Sequence, residues 1–313
     1  MDVDNWFKWF KRIFIRSRRR EQPKERMTNP VEQTPKSRLR LPIIKTGSVI
    51  GRDHLRLNRN NQDSFCAGLI HANSKNYYYG VVCDGCSGRN ALATKNEVGA
   101  QLMAYFAVKE ITAMLLMGST IDRIADALYS RCLGYLHAIA SLTSAGNPQE
   151  AVSFVSNYLC CTIVGFVMDD ESAVIFSAGD GVIMIDDRIN RINQDDRPSY
   201  LGLSLVDSRF LKLDGVELPK SFNIQEIELG QINRFAVCTD GVTDGILKQV
   251  FGLAGPHSGP LGLQRKLRVL TLREEPVEDD CTVITIELNE PEADKLVIEL
   301  AVSDDCKEKE VER

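Results

Sequence analysis

The sequence has no long uninterrupted apolar segment. No run of 18 apolar residues occurs among its 313 residues, so none is predicted to cross a membrane as a helix. It also lacks an excess of basic charge, because its net charge is -5, and this argues against a nucleic-acid-binding protein. The first residues do not form a secretory signal, since Lys8, Lys11 and Arg12 interrupt their apolar side chains. These absences favour a cytoplasmic protein that does not bind nucleic acid.

The nine cysteines do not form the even set of a disulfide framework. Five of them lie in apolar runs, as small buried side chains of a reducing compartment do. These are Cys83, Cys160, Cys161, Cys238 and Cys281. Cys83 and Cys86 have CxxC spacing, but no second pair follows at the distance of a zinc ribbon. A zinc or redox role is therefore not predicted for them.

Composition divides the chain into four parts. Residues 1–20 hold seven Lys or Arg against two Asp, and they form a basic amphipathic segment with a net charge of +5. Residues 21–41 are rich in proline and poor in apolar side chains, which is typical of a linker. Residues 42–289 carry the strand and helix patterns of a folded domain, and residues 290–313 form an acidic tail.

The basic segment includes both tryptophans of the protein. Drawn as a helix, residues 5–20 place Trp6, Trp9 and neighbouring apolar side chains on one face, with Lys and Arg mostly opposite. Tryptophan favours the interfacial zone of a bilayer, and basic side chains favour anionic headgroups. The interpretation is a peripheral anchor on an anionic membrane surface. Docking of this helix on a protein surface and disorder are the alternatives.

Alternating strand and helix patterns fill the folded domain. The helix predicted over residues 96–117 has Val98, Leu102, Tyr105 and Val108 near helical spacing. Runs of strands beside paired helices favour sheets covered by helices over strict βαβ alternation. The other predicted helices cover 121–141 and 261–273, and the predicted strands cover 43–54, 77–84, 158–168, 172–178, 182–187, 222–229, 234–239 and 281–288.

Acidic residues mark five predicted strand ends. Asp63 and Asp279 precede apolar stretches, Asp84 and Asp240 follow them, and Asp180 lies in a tight turn between two strands. Facing sheets can bring such ends together, and carboxylate oxygens are the ligands that hard divalent cations prefer. Taken singly, each of these residues is better explained as an ordinary turn aspartate than as a metal ligand.

In their order these motifs resemble the metal-dependent type 2C family of Ser/Thr protein phosphatases, most of all a compact prokaryotic-type branch. The resemblance extends from about residue 47 to residue 288. It implies an α+β fold, a four-layer αββα sandwich of two antiparallel sheets flanked by helices. The matching motifs are Asn61-Gln62-Asp63, Asp84-Gly85, Gly179-Asp180, Thr239-Asp240-Gly241 and Asp279-Asp280-Cys281-Thr282.

The resemblance also implies a reaction and its cofactors. Two Mn²⁺ or Mg²⁺ ions would activate a water that attacks the phosphorus of phosphoserine or phosphothreonine in phosphoprotein substrates. Asp84 and Asp240 would be the indispensable catalytic carboxylates, acting through this water. The implied metal ligands are Asp63, Asp84, the carbonyl of Gly85, Asp240 and Asp279, with Asp180 at a third, weaker ion.

The chain departs from the family pattern at two positions. Many members have a phosphate-binding Arg where this chain has Asn58; Arg59 is the nearest replacement, with Arg52 and Arg56 close by. Some members have a proton-donating His at the position of Cys86. His54 is a candidate substitute.

These departures leave two further hypotheses open. One is a catalytically weak regulatory or binding module that keeps the phosphatase fold. The other is an unrelated α/β protein with turn aspartates.

Overall fold

Ten strands form two antiparallel sheets of five strands each. The computed structural model describes residues 41–87, 94–192, 199–206, 218–252, 261–272 and 277–289. The first sheet has the order β1-β10-β9-β6-β7, and the second has the order β2-β3-β4-β5-β8. The strands are β1 Leu41–Val49, β2 Asp63–Ala72, β3 Lys75–Asp84, β4 Ile163–Met168, β5 Ser172–Ala178, β6 Gly181–Ile185, β7 Arg188–Ile192, β8 Asn223–Glu228, β9 Arg234–Cys238 and β10 Cys281–Asn289.

The α-helices of the described residues lie in three of the connections between strands. A short helix precedes β2, three consecutive helices separate β3 from β4, and two lie between β9 and β10. They are α1 Arg52–Arg56, α2 Glu97–Leu116, α3 Ile121–Ser144, α4 Pro148–Tyr158, α5 Asp244–Gly252 and α6 Gly262–Leu272.

The space between the sheets is filled by large apolar side chains. Phe166 of β4 meets Phe235 of β9 edge to face, with ring centroids 5.2 Å apart. Val82, Val164 and Ile284 are buried in the same cluster. This core holds the two sheets face to face and aligns their ends, where the acidic residues lie.

Two outer apolar clusters attach the helices to the sheets. One joins α2, α3 and α4 to the sheet that contains β3 and β4. The other joins α5 and α6 to the sheet that contains β9 and β10. The layers are therefore helix, sheet, sheet, helix, and the predicted αββα sandwich is confirmed.

The apolar face predicted for α2 is only partly correct. Val98 and Tyr105 are exposed, whereas Leu102 and Val108 are partly buried. The buried face combines alanines with larger side chains, which are Ala100, Met103, Ala104, Ala107, Ile111, Met114 and Leu115. Alanine has little bulk, so the helix can lie close to the sheet.

Residues 43–54 do not form one continuous strand, as the sequence predicted. β1 ends at Val49, and α1 then turns the chain against the segment before β10. The N–H groups of Arg52 and Asp53 donate to the carbonyls of Val277 and Glu278, over 2.9 and 3.0 Å. This docking supplies hydrogen bonds that a short helix cannot provide for its own first turn.

The cysteines pack largely as small apolar side chains. Eight of them lie in the described part of the chain, and none of these eight forms a disulfide. The five predicted to be buried are buried, including Cys83 in the centre of the outer core under α2 and α3.

Candidate functional site

Asp63 and Asp84 lie directly opposite each other in the β2–β3 ladder. Asp63 is the first residue of β2, and Asp84 is the last residue of β3. Like charges in directly opposed positions of a sheet destabilise the pair unless something neutralises them. The two carboxylates therefore create a position that favours a cation.

The facing sheet contributes two further carboxylates. Asp240 follows β9 and Asp279 precedes β10, and these two strands are antiparallel neighbours. The N–H of Thr239 donates to the carbonyl of Thr282 over 3.1 Å, which keeps these strand ends together. Asp180 lies in the turn from β5 to β6, where Gly179 has a φ of 87° that a glycine adopts without strain.

The negative charges of four other aspartates act on Asp84. Burial raises the pKa of Asp84 well above its ordinary value, and the negative charges of Asp63, Asp240, Asp279 and Asp180 raise it further. Each of these charges disfavours ionisation of Asp84. The structure therefore brings together all five aspartates that the sequence singled out.

Asp63 is buried with one carboxylate oxygen unsatisfied. Its Oδ2 accepts a hydrogen bond from the hydroxyl of Thr239 over 2.8 Å, whereas its Oδ1 is buried and has no hydrogen-bond partner among the described residues. Burial raises the pKa of Asp63 to about 8, although the nearby hydroxyls of Thr239 and Thr282 oppose the shift. A buried oxygen without a donor costs free energy unless a ligand satisfies it.

Gly85 occupies a position that no larger residue could fill. A Cβ atom there would lie 2.6 Å from the backbone carbon of Asn96 and 2.9 Å from the carbonyl oxygen of Gln62. The N–H of Gly85 donates to that carbonyl over 3.1 Å, and Gly85 forms an isolated bridge with Cys161. The backbone is thus held tightly beside Asp84.

These features fit a divalent cation. The donors are carboxylate oxygens, one is a buried oxygen without a partner, and a glycine lets the backbone approach the same place. Another acidic group, His54 with Asp279 and Asp280, has its ligand atoms within 4.8 Å of one another. Both oxygens of Asp280 already accept hydrogen bonds from buried donors, so Asp279 is the member of this group that can bind a cation.

Arg59 is half-buried after α1, and its N–H donates to the carbonyl of His54 over 2.9 Å. The guanidinium of Arg52 is 3.8 Å from Glu278, and that of Arg56 is 3.3 Å from Asp53, and both arginines are exposed. Arg52 and Arg56 thus pair at the surface. Of the three arginines, Arg59 is therefore the candidate for a contact with the substrate phosphate.

One residue beside the site, Asn96, was not identified in the sequence analysis. Asn96 precedes α2 and looks in sequence like an ordinary helix-capping residue. Its buried amide instead donates to the carbonyl of Cys86 over 2.9 Å, and its Oδ1 accepts from the N–H of Cys160 over 3.1 Å. It thereby fixes the turn after Gly85, and no local sequence signal reveals such a long-range contact.

A profile of the family described as protein phosphatase 2C matches residues 50–257. No curated protein sequence matches the chain. The fold resembles the serine/threonine phosphatase Stp1 from Staphylococcus aureus, with 16% identity and a TM-score of 0.52 over 83% of this chain and all of that one. It also resembles a bacterial serine phosphatase, with 17% identity and a TM-score of 0.50 over 79% of this chain and 97% of that one.

The two structural likenesses concern the fold, and the profile concerns the sequence. The profile covers most of the chain and includes the residues around Asp63, Asp84, Asp180 and Asp240. The sheet order and the convergence of the acidic strand ends agree with it. The chain belongs to the protein phosphatase 2C family and is a protein phosphatase.

Proposed function

We propose that the protein hydrolyses phosphoserine and phosphothreonine in phosphoprotein substrates with the help of Mn²⁺ or Mg²⁺. The observation that supports this most strongly is the unsatisfied Oδ1 of Asp63, buried opposite Asp84 in a group of mutually repelling carboxylates. Such a group is costly to fold without cations and is stabilised by them.

The side chains that would hold two ions are Asp63, Asp84, Asp240 and Asp279, together with the carbonyl of Gly85. Asp180 would hold a third, weaker ion. When bound, such ions lower the pKa of a bound water and neutralise charge on the phosphate.

The protein's own residues orient these groups. The hydroxyl of Thr239 engages Oδ2 of Asp63, which leaves Oδ1 as the oxygen available to a cation. The bridge between Gly85 and Cys161 fixes the backbone next to Asp84. Arg59 would contact the substrate phosphate, because its charge and hydrogen-bond donors suit phosphate oxygens.

The test is hydrolysis of p-nitrophenyl phosphate and of a phosphothreonine peptide by the full chain with Mn²⁺, with Mg²⁺ and with excess EDTA. We expect turnover of both substrates with a metal and none with EDTA. Equal turnover in EDTA would refute the metal-dependent mechanism. The absence of turnover with either metal would refute the proposed activity.

A second candidate is a catalytically weak binding module, and Asn58 in place of the usual Arg is the observation that favours it. Asn58 adopts a left-handed backbone conformation, with a φ of 52°, and carries no charge for a phosphate. Such a module would bind a phosphopeptide in the presence of Mn²⁺ and release it unchanged. Mass spectrometry of the recovered peptide separates the two functions.

We also propose the four-part layout derived from the sequence, with the phosphatase domain at 42–289. The basic segment 1–20, all of the linker except residue 41, and the acidic tail 290–313 lie outside the described residues. Within the described part, no helix combines the length and apolar character needed to cross a bilayer. We place the protein in the cytoplasm, with residues 5–20 as its contact to an anionic membrane surface.

A further inference from the structure

The side chain of His54 connects two strand ends of the candidate site. His54 is buried in α1. Its Nδ1 lies 2.8 Å from Oδ2 of Asp280, just before β10, and its Nε2 lies 3.0 Å from Oγ of Ser87, three residues after β3 ends. One imidazole ring therefore joins segments that are far apart in the sequence.

Asp280 determines the orientation of this ring. Its Oδ1 accepts from the N–H of Gly51 over 2.7 Å, and its Oδ2 accepts from the N–H of Gln62 over 2.5 Å. A carboxylate can only accept hydrogen bonds, so Nδ1 of His54 is the donor in the contact with Oδ2. Nε2 is therefore held towards Ser87.

Ser87 closes a ring of contacts around the turn after β3. Its Oγ lies within hydrogen-bond distance of both Nε2 of His54 and Oε1 of Gln62, and its single proton can be donated to either of these two acceptors. The carbonyl of Gln62 accepts from the N–H of Gly85 over 3.1 Å. The N–H of Gln62 binds Asp280, which binds His54. The contacts thus lead from Asp280 through His54 and Ser87 to Gln62, and back to Asp280.

We propose that His54 is a positioning residue of the metal site. Held by Asp280, it fixes Ser87, and Ser87 with Gln62 fixes the turn that carries Gly85. The turn is then in its binding conformation before a cation arrives, and the free energy of ordering it does not reduce the affinity. This inference rests on the proposed function, since it concerns the ligands proposed there.

A buried histidine can also serve only to fill the core. In that case its replacement would lower stability and leave the metal affinity of the folded protein unchanged. A positioning role predicts weaker metal binding as well. Residues that orient metal ligands through hydrogen bonds commonly change metal affinity or activity by about 10- to 100-fold when they are replaced.

The experiment compares His54→Asn, Ser87→Ala and the double variant in the full chain. Asn at position 54 can place its amide nitrogen where Nδ1 lies and still donate to Asp280, but it does not reach Ser87. Ser87 is exposed, so its truncation leaves the core intact. His71→Asn is the matched control, because His71 is a hydrogen-bonded histidine on the exposed β2–β3 hairpin, with Nδ1 2.9 Å from Asn76.

Mn²⁺ affinity is measured by titration calorimetry, thermal unfolding is measured without metal, and kcat and KM are measured with p-nitrophenyl phosphate. We expect His54→Asn to raise the Kd for Mn²⁺ by about 10-fold or more. Ser87→Ala should shift it in the same direction, and the double variant should be no worse than His54→Asn, because both replacements break one chain of contacts. His71→Asn should match the wild type.

A Kd within about two-fold of the wild type in both single variants, with only a lower Tm, overturns the positioning role. If His54→Asn does not fold, an unchanged Kd in Ser87→Ala alone overturns it. A wild-type protein that binds Mn²⁺ but hydrolyses no phosphate ester refutes the proposed function, while the Kd comparison still decides the role of His54. Absence of Mn²⁺ binding by the wild type refutes both.

Discussion

The hydroxyl of Thr239 donates a hydrogen bond to Oδ2 of Asp63 over 2.8 Å and so connects the two sheets at the site. Thr239 follows β9 of one sheet, and Asp63 opens β2 of the other. The same hydroxyl accepts from the N–H of Thr282 over 3.0 Å. One side chain therefore fixes both a proposed metal ligand and the adjoining strand end.

Thr239→Val should weaken both stability and metal binding. It keeps the shape of the side chain but leaves the buried oxygen of Asp63 without its donor, at a cost of about 1–3 kcal/mol. Urea unfolding and Mn²⁺ titration measure the two effects. Thr112→Val is the control, since Thr112 donates to the carbonyl of Val108 within α2. Equal effects of the two replacements on the Mn²⁺ affinity would contradict the assignment of Thr239.

Asp84→Asn and Asp240→Asn should each lower the rate of phosphate hydrolysis at least ~100-fold, which is roughly 3 kcal/mol in the barrier. Each removes a carboxylate that balances the charge of the proposed ions. The metal-free fold should survive, because the remaining carboxylates repel one another less. Steady-state kinetics and circular dichroism test this. Asp187→Asn, an exposed position paired with Arg234, should keep full activity; full activity in either site variant would contradict the two-ion site.

The metal-free protein should lose stability as the pH rises. The pKa of Asp63 is about 8 in the fold against 3.8 for the ordinary residue, so the folded state holds a proton that the unfolded state releases. The contribution of Asp63 to the free energy of unfolding is fully present below about pH 4. As the pH rises to about 8, this contribution is lost at up to about 1.4 kcal/mol per pH unit. Urea unfolding in EDTA between these limits measures the slope. Asp63→Asn should make the slope less steep without removing it, because the pKa of Asp84 is raised as well; a metal-free stability that increases over this range would contradict the shift.

Arg59→Ala should raise KM for a phosphopeptide by about 10-fold or more, because a charge-assisted hydrogen bond to phosphate is lost. The affinity for Mn²⁺ should stay as in the wild type. Arg56→Ala is the matched control, since Arg56 pairs with Asp53 at the surface. A large effect at Arg56 with none at Arg59 would show that the phosphate contact belongs to the other arginine. If Ala replacements of Arg52, Arg56 and Arg59 each have no effect and the KM of the native protein is high, none of these arginines contacts the substrate phosphate.

Residues 5–20 should bind anionic vesicles in a salt-sensitive way. Each basic side chain near an anionic surface contributes about 1 kcal/mol, and ions screen this attraction. Co-sedimentation of the full chain with phosphatidylglycerol or phosphatidylserine vesicles is compared with a chain that starts at Pro30. Vesicles of phosphatidylcholine alone are the lipid control. If both proteins remain in the supernatant at low salt, the membrane anchor is wrong, and a protein interface becomes the better interpretation.

The sequence pointed to the acidic residues more clearly than to the local structure around them. Asp84 and Asp240 were singled out because the acidic strand ends occur in the order of the family motifs. The αββα layers were implied by the same resemblance, and the strand runs beside paired helices were compatible with them. The strand patterns did not reveal β2, although Asp63 was placed before an apolar stretch, nor β7. Three of the five side chains of β7 Arg188–Ile192 are polar and exposed, and the two isoleucines are only partly buried at the sheet edge, so periodicity gave no signal there.

The roles of Asp280 and Asn96 could not be predicted for a different reason. Each acts through hydrogen bonds to residues far away in the sequence, such as Gly51 for Asp280 and Cys160 for Asn96. The packing of α2 was only partly predicted because its buried face includes Ala100, Ala104 and Ala107, and alanine gives a weak hydrophobic signal. Local patterns report which residues are apolar, whereas these roles depend on how the sheets stack.

The position of β10 determines when the enzyme can first work during its synthesis. β10 is formed near the end of the chain, yet it lies between β1 and β9 within its sheet, next to the first strand. β1 and β9 are therefore without their shared neighbour until the ribosome has released residues 281–289, and Asp279 leaves just ahead of them. A nascent chain can complete β2 to β5 and their helices early, but without Asp279 it holds an incomplete set of the proposed cation ligands. Dephosphorylation by this protein is thus expected only after residues 279–289 have left the ribosome.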